Sequence, residues 1–551
     1  MKQLILKHAL MNAIQHNGKA DVGAILGKLI AEDPQAKDKI KEIMPQIQEV
    51  VKEVNSIPFM EQQKRFKEMG VEIPKKKEKE GLPRLPNAES FRTIVMRLAP
   101  YPSGPLHIGN ARMVILNDEY VKRYNGKLLL VFDDTIGSED KFIIPEAYDL
   151  IPEGLKWLGV EWHETYYKSD RLKEYYKVAE ELIDRDMAYI CECKAENLRA
   201  DRVNGTECVH RKQSIEENMT KWKRMLSGGY KEGTVTLRLK TDMKHPNPAF
   251  RDRVLLRVAE RTHPRVDRKY RVWPMLEFSW AVDDHLLGIT HILRGKDLAI
   301  EDMMEQFIWE KMDWTKAEFM HYGLMQIKEA KLSKTSSRKA IERGTYTGWD
   351  DPRTWSLQSL RKRGFRPEAI RKFIIDMGLS LADVTVPAEM LYSENRKMID
   401  IDANRYFAVL QPVRISVDSD AKEVEVPLHP EVPSRGMRRI PVDSQRIYVD
   451  SEDFEKFKGL RVRLLNLFTV ELNKVSKLLS REVEADVPKI HWVSEPNLKA
   501  RMVMPDGSIT DVLLEPAMRN VKADEMIQMP RIGFCRCDQT GDETRLYYAH
   551  K

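Results

Sequence analysis

The sequence predicts an α/β fold in which a helical segment precedes a central domain built on a parallel sheet, and β-barrels follow it. Apolar residues recur at helical spacing up to residue 74. Between residues 92 and 195, apolar strands alternate with helical segments, which is typical of βαβ units. After residue 408 the apolar period changes to two, as in short antiparallel strands. The 551 residues are enough for several such domains.

Composition narrows the class of protein. With 42% hydrophobic and 32% charged residues, the chain has an ordinary soluble composition. It has no apolar run long enough to span a membrane, and its start shows no secretory cleavage site, so we expect a cytoplasmic protein without membrane contact. A net charge of +6 permits a nucleic-acid partner without requiring one. Five cysteines, mostly in close pairs, argue against a disulfide framework.

The first 74 residues form a predicted helical appendix, followed by a linker over residues 75–91. Apolar positions such as Leu4, Ile5 and Leu10 share one helical face. The run Lys75-Lys76-Lys77-Glu78-Lys79-Glu80-Gly81 has the charge of a solvated linker, and a tRNA contact is the alternative interpretation.

The stretch Arg97–Asn110, RLAPYPSGPLHIGN, has the pattern of a strand, a stiff turn and a helix N-terminus. Free backbone N–H groups and the helix dipole stabilise an anion at such a junction, above all a phosphate. His107 adds a hydrogen-bond donor, and Gly109 lets a nucleotide base approach the backbone. By itself, a Pro/Gly-rich turn before a helix is usually a connection without chemistry.

A second motif, Lys331-Leu332-Ser333-Lys334-Thr335, lies in a stretch with few large apolar residues, as expected of a mobile loop. The two motifs together resemble the HIGH and KMSKS signatures of class I aminoacyl-tRNA synthetases. The other matching segments are FDDT (Phe132–Thr135), DDHLLGITHILRG (Asp283–Gly295) and GWDDPRTWSLQSLRKRG (Gly348–Gly364). They resemble the glutamyl and glutaminyl branch, and the C-terminal strands resemble the archaeal, glutaminyl-like form of its glutamyl enzymes.

This resemblance implies a Rossmann-type class I synthetase catalytic domain between the helical appendix and C-terminal β-barrel anticodon-binding domains. The implied division is a first catalytic half (92–190), an acceptor-end-binding insertion (191–270), a second catalytic half with the KLSKT loop (271–345), a helical stem-contact region (346–408) and the β-barrel domain (409–551).

The resemblance also implies the reaction. ATP and Mg²⁺ activate L-glutamate, and the glutamyl group passes to the 3′ end of tRNA-Glu, with tRNA-Gln as a second acceptor in some relatives. The implied catalytic residues are His107, Lys331 and Lys334. The implied ATP-binding residues are Pro100, Gly104, His107, Gly109, Asn110, Lys331, Ser333 and Lys334. Asn110 stands where the signature usually has a histidine, so a donor is kept but its protonation chemistry is not.

Amino-acid binding is implied for Arg97, Asp133 and Arg294. Asp133 matches the position that holds the substrate ammonium, and the two arginines match positions that hold its carboxylates. Glutaminyl enzymes have a small non-basic residue in place of Arg294, which disfavours a glutaminyl-tRNA synthetase. Leu276 departs from the usual tyrosine. A nucleotidyl transferase with an HxGH motif and a non-catalytic RNA-binding relative are the remaining alternatives.

Cys191, Cys193, Cys208 and His210 form two tight pairs that could hold a structural zinc ion, because each pair supplies two ligands from one turn. Buried free thiols are the alternative. Cys535 and Cys537 have no partner pair and are expected to be structural thiols.

Arg405 lies where the helical region meets the barrels. By resemblance it contacts an anticodon base, with Tyr406 and Phe407 as rings on which an unpaired base could stack. The alternative is an arginine that caps a helix C-terminus beside two core aromatics. The helical appendix is the expected site for any protein partner.

Overall fold

The computed structural model describes residues 2–15, 18–32, 40–69, 81–138, 142–541 and 543–551. The chain divides into two compact units, Met1–Glu80 and Gly81–Lys551. The lysine run that we predicted as a linker lies, at residues 75–80, outside the described residues. In the described parts of the chain, no helix combines the length and the apolar character that a membrane crossing requires.

The first unit is helical, as predicted. Its helices are α1 (Lys2–Gln15), α2 (Val22–Glu32), α3 (Ile40–Ser56) and α4 (Phe59–Glu68). Ile5, Leu10 and Ile47 lie in a shared apolar core. The buried Gln62 side chain donates to the carbonyl oxygens of Gly18 and Val54 over 2.9 and 2.7 Å, so its amide nitrogen is satisfied inside the core.

The second unit begins with the α/β region. Its elements are β1 (Val95–Leu98), α5 (Ile108–Arg123), β2 (Lys127–Phe132), α6 (Ala147–Trp157), β3 (Glu164–Tyr167), α7 (Leu172–Asp184), β4 (Ala188–Cys191), α8 (Ala195–Asn204), α9 (Ile215–Leu226), β5 (Thr236–Leu239), β6 (Val254–Val258), β7 (Val272–Pro274), α10 (Leu276–Leu286), β8 (His291–Gly295), α11 (Ala299–Lys311), β9 (Glu318–Tyr322), β10 (Met325–Ile327), α12 (Lys334–Glu342), α13 (Leu357–Arg363), α14 (Pro367–Met377), β11 (Val384–Val386) and α15 (Ala388–Ile399).

The predicted parallel sheet is present. Strands β1, β2 and β3 pair in parallel in that order, and Thr290, just before β8, is hydrogen-bonded to Val95 of β1. Leu128 and Leu130 of β2 pack into one core, whereas Leu129 and Val131 pack into another on the opposite face. Because helices cover both faces, the strand is a continuous apolar run. The carboxyl ends of these strands are where ligands bind in sheets of this type.

The segment between α7 and α10 folds as a four-stranded antiparallel sheet in the order β4-β5-β6-β7. Helices α8 and α9 lie in the connection between β4 and β5. This sheet is therefore inserted between the two parallel parts of the α/β region.

The C-terminal region is β-rich, as predicted. Its elements are β12 (Asn404–Arg405), β13 (Ala408–Val409), β14 (Pro412–Val417), β15 (Glu423–Pro427), β16 (Met437–Pro441), β17 (Ile447–Asp450), α16 (Ser451–Phe457), β18 (Arg461–Leu464), β19 (Thr469–Glu471), β20 (Val475–Ser480), β21 (Lys489–Ile490), β22 (Val493–Ser494), β23 (Leu498–Val503), β24 (Ile509–Leu514), β25 (Met526–Met529), β26 (Gly533–Gln539) and β27 (Thr544–His550).

Two seven-stranded sheets dominate this region, in the orders β21-β18-β19-β20-β14-β17-β22 and β12-β25-β26-β27-β23-β24-β13. Our expectation of purely antiparallel strands is wrong, since β14 pairs in parallel with β20 and β23 with β27. A local period of two fixes which face a residue takes and not the direction of a distant partner strand. The second sheet also takes β12 and β13 from residues 404–409, next to the helical region.

Candidate active site

The helix that follows the first motif begins at His107. This residue is the N-cap of α5, and its backbone N–H donates to the Asn110 side-chain oxygen over 3.2 Å. Asn110 thereby satisfies a donor at the start of the helix, which gives its amide a structural role there. The segment before α13 lies alongside this turn, because Ile108 N–H donates to the Trp355 carbonyl and Leu357 N–H to the Leu106 carbonyl, over 3.1 and 2.8 Å.

The second motif contacts the first directly. The Lys334 ammonium donates to the Gly104 carbonyl oxygen over 3.4 Å, and His107, Ser333 and Lys334 line one small cavity. Ser333 caps the N-terminus of α12 by accepting from Ser336 N–H over 3.2 Å. The tertiary fold therefore places two helix N-termini and one cation around the same space, an arrangement suited to a phosphate group. Lys331 is exposed and does not line this cavity.

Burial changes the charge state of this cavity. It lowers the pKa of His107 to about 3, with the positive charge of Lys334 acting in the same direction. It also lowers the pKa of Lys334 to about 8. At neutral pH the imidazole is therefore neutral and the lysine mostly cationic. A neutral His107 can donate a hydrogen bond to a phosphate oxygen without acting as an acid.

The two glycines of the first motif have close neighbours. Gly104 has φ +141° and faces Trp349, whose ring would lie 2.8 Å from an added Cβ. An added Cβ on Gly109 would lie 2.9 Å from His107 Cε1 and 3.2 Å from Leu332 Cδ1. The space beside Gly109 that we predicted for a nucleotide base thus holds His107 and Leu332, because the KLSKT loop lies against the turn in this structure.

The three residues that we predicted to bind the amino acid lie in one buried, charged cluster. Arg97 forms a two-point ion pair with Asp284. Arg294 pairs with Asp302 and, over 2.7 Å, with Glu305. The ring of Trp280 lies 5.0 Å from the Arg97 guanidinium and 4.6 Å from that of Arg294. Asp133 pairs with Lys168, with 3.0 Å between Nζ and Oδ1.

Sequence reasoning missed Lys168, Trp280, Asp284 and Glu305 in this cluster. Burial raises the pKa of Glu305 to about 8, although the nearby Arg294 opposes the shift. Of these residues, Lys168 had a detectable signal, since it directly follows β3 just as Asp133 follows β2. Trp280 and Asp284 lie on α10, and Glu305 lies on α11. Tertiary packing determines which face of each helix points into the site, so the sequence carries no signal for these three residues.

Cys191, Cys193, Cys208 and His210 come together at the end of β4. Their ligand atoms all lie within 4.8 Å of one another. The Sγ atoms of Cys193 and Cys208 are 3.3 Å apart, and His210 Nδ1 lies 3.2 Å from the Cys208 sulfur. Cys535 and Cys537 lie buried in β26, as expected of structural thiols.

Arg405 adopts the contacts of a helix cap. Its guanidinium donates to the carbonyl oxygens of Asp400 and Ala403, both over 3.3 Å, and pairs with the Asp400 carboxylate over 3.1 Å, just past α15. Tyr406 and Phe407 are buried in apolar cores. Our expectation that these two rings offer a stacking surface for an unpaired base is therefore wrong, because they pack against the protein itself.

The fold is an α/β region in which two helix N-termini and a lysine surround one small cavity, and the same region holds a buried cluster of charged side chains. Residues 93–401 match the family described as tRNA synthetases class I (E and Q), catalytic domain. Residues 403–487 and 489–538 match its two anti-codon binding domains. The chain therefore belongs to the class I tRNA synthetases of the E and Q branch.

Curated relatives align with the whole chain. Glutamate--tRNA ligase of Thermococcus onnurineus is 42% identical over 575 residues, and that of Pyrococcus abyssi is 43% identical over 575 residues, with complete coverage of both chains in each case. A solved glutamate tRNA ligase from Elizabethkingia meningosepticum is 19% identical with a TM-score of 0.41, covering 56% of this chain and 70% of that one.

Proposed function

We propose that this synthetase is a glutamate–tRNA ligase, which activates L-glutamate with ATP and transfers it to tRNA-Glu. The observation that carries the proposal is the meeting of His107 and Lys334 at one small cavity, in the same α/β region as the cluster of Arg97, Asp133 and Arg294. The full-length relatives named glutamate–tRNA ligase support the same assignment.

In the first step, the substrate α-carboxylate attacks the α-phosphate of ATP and pyrophosphate leaves. Catalysis of such a step depends on positioning and on neutralising charge in the transition state. The Lys334 cation and the neutral His107 imidazole supply a charge and a donor for the phosphate oxygens. Magnesium carried in by the triphosphate would neutralise further charge. In the second step, a ribose hydroxyl of the tRNA 3′ end attacks the acyl-adenylate and AMP leaves.

Arg294 supports glutamate over glutamine as the amino acid. A planar guanidinium suits a carboxylate, which accepts two parallel hydrogen bonds, whereas a side-chain amide offers one acceptor and two donors. The Nη1 atom of Arg294 is buried and, among the described residues, has no hydrogen-bond partner. A substrate carboxylate would satisfy that donor.

Aminoacylation with labelled amino acids tests the proposal. Purified enzyme should charge tRNA-Glu with labelled glutamate and not with labelled glutamine, and it should support glutamate-dependent ATP–pyrophosphate exchange. Charging of tRNA-Gln with glutamate, which we also propose, is read from the same assay. Charging of tRNA-Gln with glutamine would instead identify a glutaminyl enzyme.

We also propose a structural zinc ion at Cys191, Cys193, Cys208 and His210. The donor set fits this ion, because three thiols and one imidazole are the ligands of a common tetrahedral zinc site. For five of the six pairs of ligand atoms the separations are 3.2–3.9 Å, close to the edge lengths of a tetrahedron with zinc–ligand bonds of about 2.0–2.3 Å. Such a site would fix the end of β4 to the turn at Cys208.

A further inference from the structure

Lys168 is a fully buried lysine that the proposed reaction does not yet use. In the pairing of β2 with β3, Phe132 lies opposite Tyr167, so Asp133 and Lys168 each follow directly at the same edge of the sheet. The Lys168 ammonium lies 3.0 Å from Asp133 Oδ1 and donates to Ser279 Oγ over 2.8 Å. It also lies 5.2 Å from the Trp280 ring, which the two arginines of the cluster share.

Burying the ion pair of Lys168 and Asp133 has a free-energy cost that calls for an explanation. Removing a lysine from water is unfavourable, and replacing a buried ion pair with apolar residues is often neutral or stabilising. Only 2% of Asp133 is exposed, so removing its carboxylate from water is costly as well. Folding stability is therefore a weak explanation for this ion pair. Because the pair lies among the residues proposed to bind the amino acid, substrate binding is the better explanation.

The other groups that face this pair do not replace Lys168. Arg97 on β1 is already paired at two points with Asp284. Tyr101, before α5, and Tyr175, on α7, both face Asp133, and burial raises their pKa values, so both remain neutral near pH 7. Asp283 on α10 faces Lys168, and burial raises the pKa of its carboxyl. Among the described residues, Lys168 is thus the basic side chain that pairs directly with Asp133.

We propose that Lys168 is a positioning residue that holds the Asp133 carboxylate at the sheet edge, where it accepts the substrate ammonium. The inference rests on the proposed role of Asp133 in amino-acid binding. A carboxylate has about four lone-pair sites, so Asp133 can accept from Lys168 and from an ammonium together. Without the lysine, the Asp133 carboxylate would lose the ion pair that fixes its position at the sheet edge.

The test compares Lys168→Met with Arg171→Met in ATP–pyrophosphate exchange. Arg171 is a matched control, since it lies three residues further along and forms a separate ion pair with Asp283 over 2.7 Å. We expect K168M to raise the KM for glutamate at pH 7 on the order of 30-fold, with the KM for ATP within about 2-fold. R171M should lower the melting temperature with the KM for glutamate within about 2-fold of wild type.

Conservative and partner variants separate the outcomes. Lys168→Arg keeps the charge and should restore the KM for glutamate to within about 5-fold of wild type. Equal effects of K168M and R171M on that KM, or no effect of K168M, would overturn the inference. Should K168M fail to fold, Lys168→Gln is measured in its place with the same expectation.

Asp133→Asn tests the proposed ammonium site itself and should raise the KM for glutamate. If it does not, the proposed ammonium site is wrong. If D133N raises this KM and K168M does not, only the role of Lys168 is wrong.

Discussion

The Lys334 ammonium donates to the Gly104 carbonyl oxygen over 3.4 Å, although 230 positions separate the two residues in the sequence. The contact brings the loop at the start of α12 onto the turn that precedes α5. The cation and the positive end of the α5 helix dipole therefore face the same space. Negative charge on a triphosphate is stabilised by both at once.

Lys334→Ala should lower the rate of glutamyl-adenylate formation by about 100-fold or more, because one fixed charge at a phosphoryl group is worth about 3 kcal/mol in the transition state. ATP–pyrophosphate exchange measures this rate. Affinity for tRNA-Glu should remain near wild type, since Lys334 lies at the phosphate cavity. An unchanged exchange rate would exclude the loop from the mechanism. Lys331→Ala, at an exposed position of the same loop, is the comparison variant.

The pH dependence of adenylation should show an alkaline decline near the lowered pKa of Lys334, about 8. Above that pH the lysine loses its proton and with it the charge that stabilises the phosphate. Lys334→Arg should move the decline to higher pH, because a guanidinium stays protonated. His107, whose pKa is lowered to about 3, stays neutral throughout and should add no decline between pH 5 and 7. If K334R shows the same alkaline decline, that decline belongs to another group.

Arg294→Met should lower kcat/KM for glutamate by about 100-fold and reduce the preference for glutamate over glutamine, since a buried charge pair is worth about 2–5 kcal/mol. It should also lower the melting temperature, because Asp302 and Glu305 lose their partner. Arg112→Met is the matched control: Arg112 is equally buried but bonds to the backbone carbonyls of Gly323 and Gly378. If R112M alters amino-acid preference as much as R294M, the effect is not specific to the pocket.

Metal analysis of protein purified without a histidine tag should find about one zinc ion per chain. The double variant Cys191→Ser/Cys208→Ser should lose it and melt at a lower temperature. Cys535→Ser/Cys537→Ser, which changes two buried thiols elsewhere, should keep its zinc. If wild-type protein is free of zinc and fully active, Cys191, Cys193, Cys208 and His210 are not a zinc site.

Arg405→Ala tests whether this residue reads the anticodon or caps α15. The observed contacts with Asp400 and Ala403 predict a loss of about 0.5–1 kcal/mol in folding stability, measured as a lower melting temperature. A role in anticodon reading predicts instead a loss of about 1–3 kcal/mol in kcat/KM for cognate tRNA and a smaller penalty for a changed anticodon base. Kinetics with wild-type and anticodon-variant tRNA-Glu separate the two.

Local pattern was sufficient for the elements that rest on short-range physics. The apolar run of β2 predicted a strand covered on both faces, and the turn at Gly104 predicted the helix N-terminus at His107. The spacing of Cys191, Cys193, Cys208 and His210 predicted their meeting, because each pair is held together by the chain itself. These outcomes follow from periodicity, turn chemistry and covalent connection, which a sequence contains directly.

The tertiary structure decided which distant groups neutralise one another. The sequence placed Arg97, Asp133 and Arg294 in one site by resemblance to a family, but it did not indicate that Asp284, Lys168 and Glu305 pair with them. Nor did it decide between the anticodon contact and the helix cap for Arg405, or reveal that strands such as β14 and β20 run parallel. Such pairings depend on the direction in which each helix face or strand edge packs. Packing is set by the burial of whole elements against each other, and a local pattern carries no record of the partner.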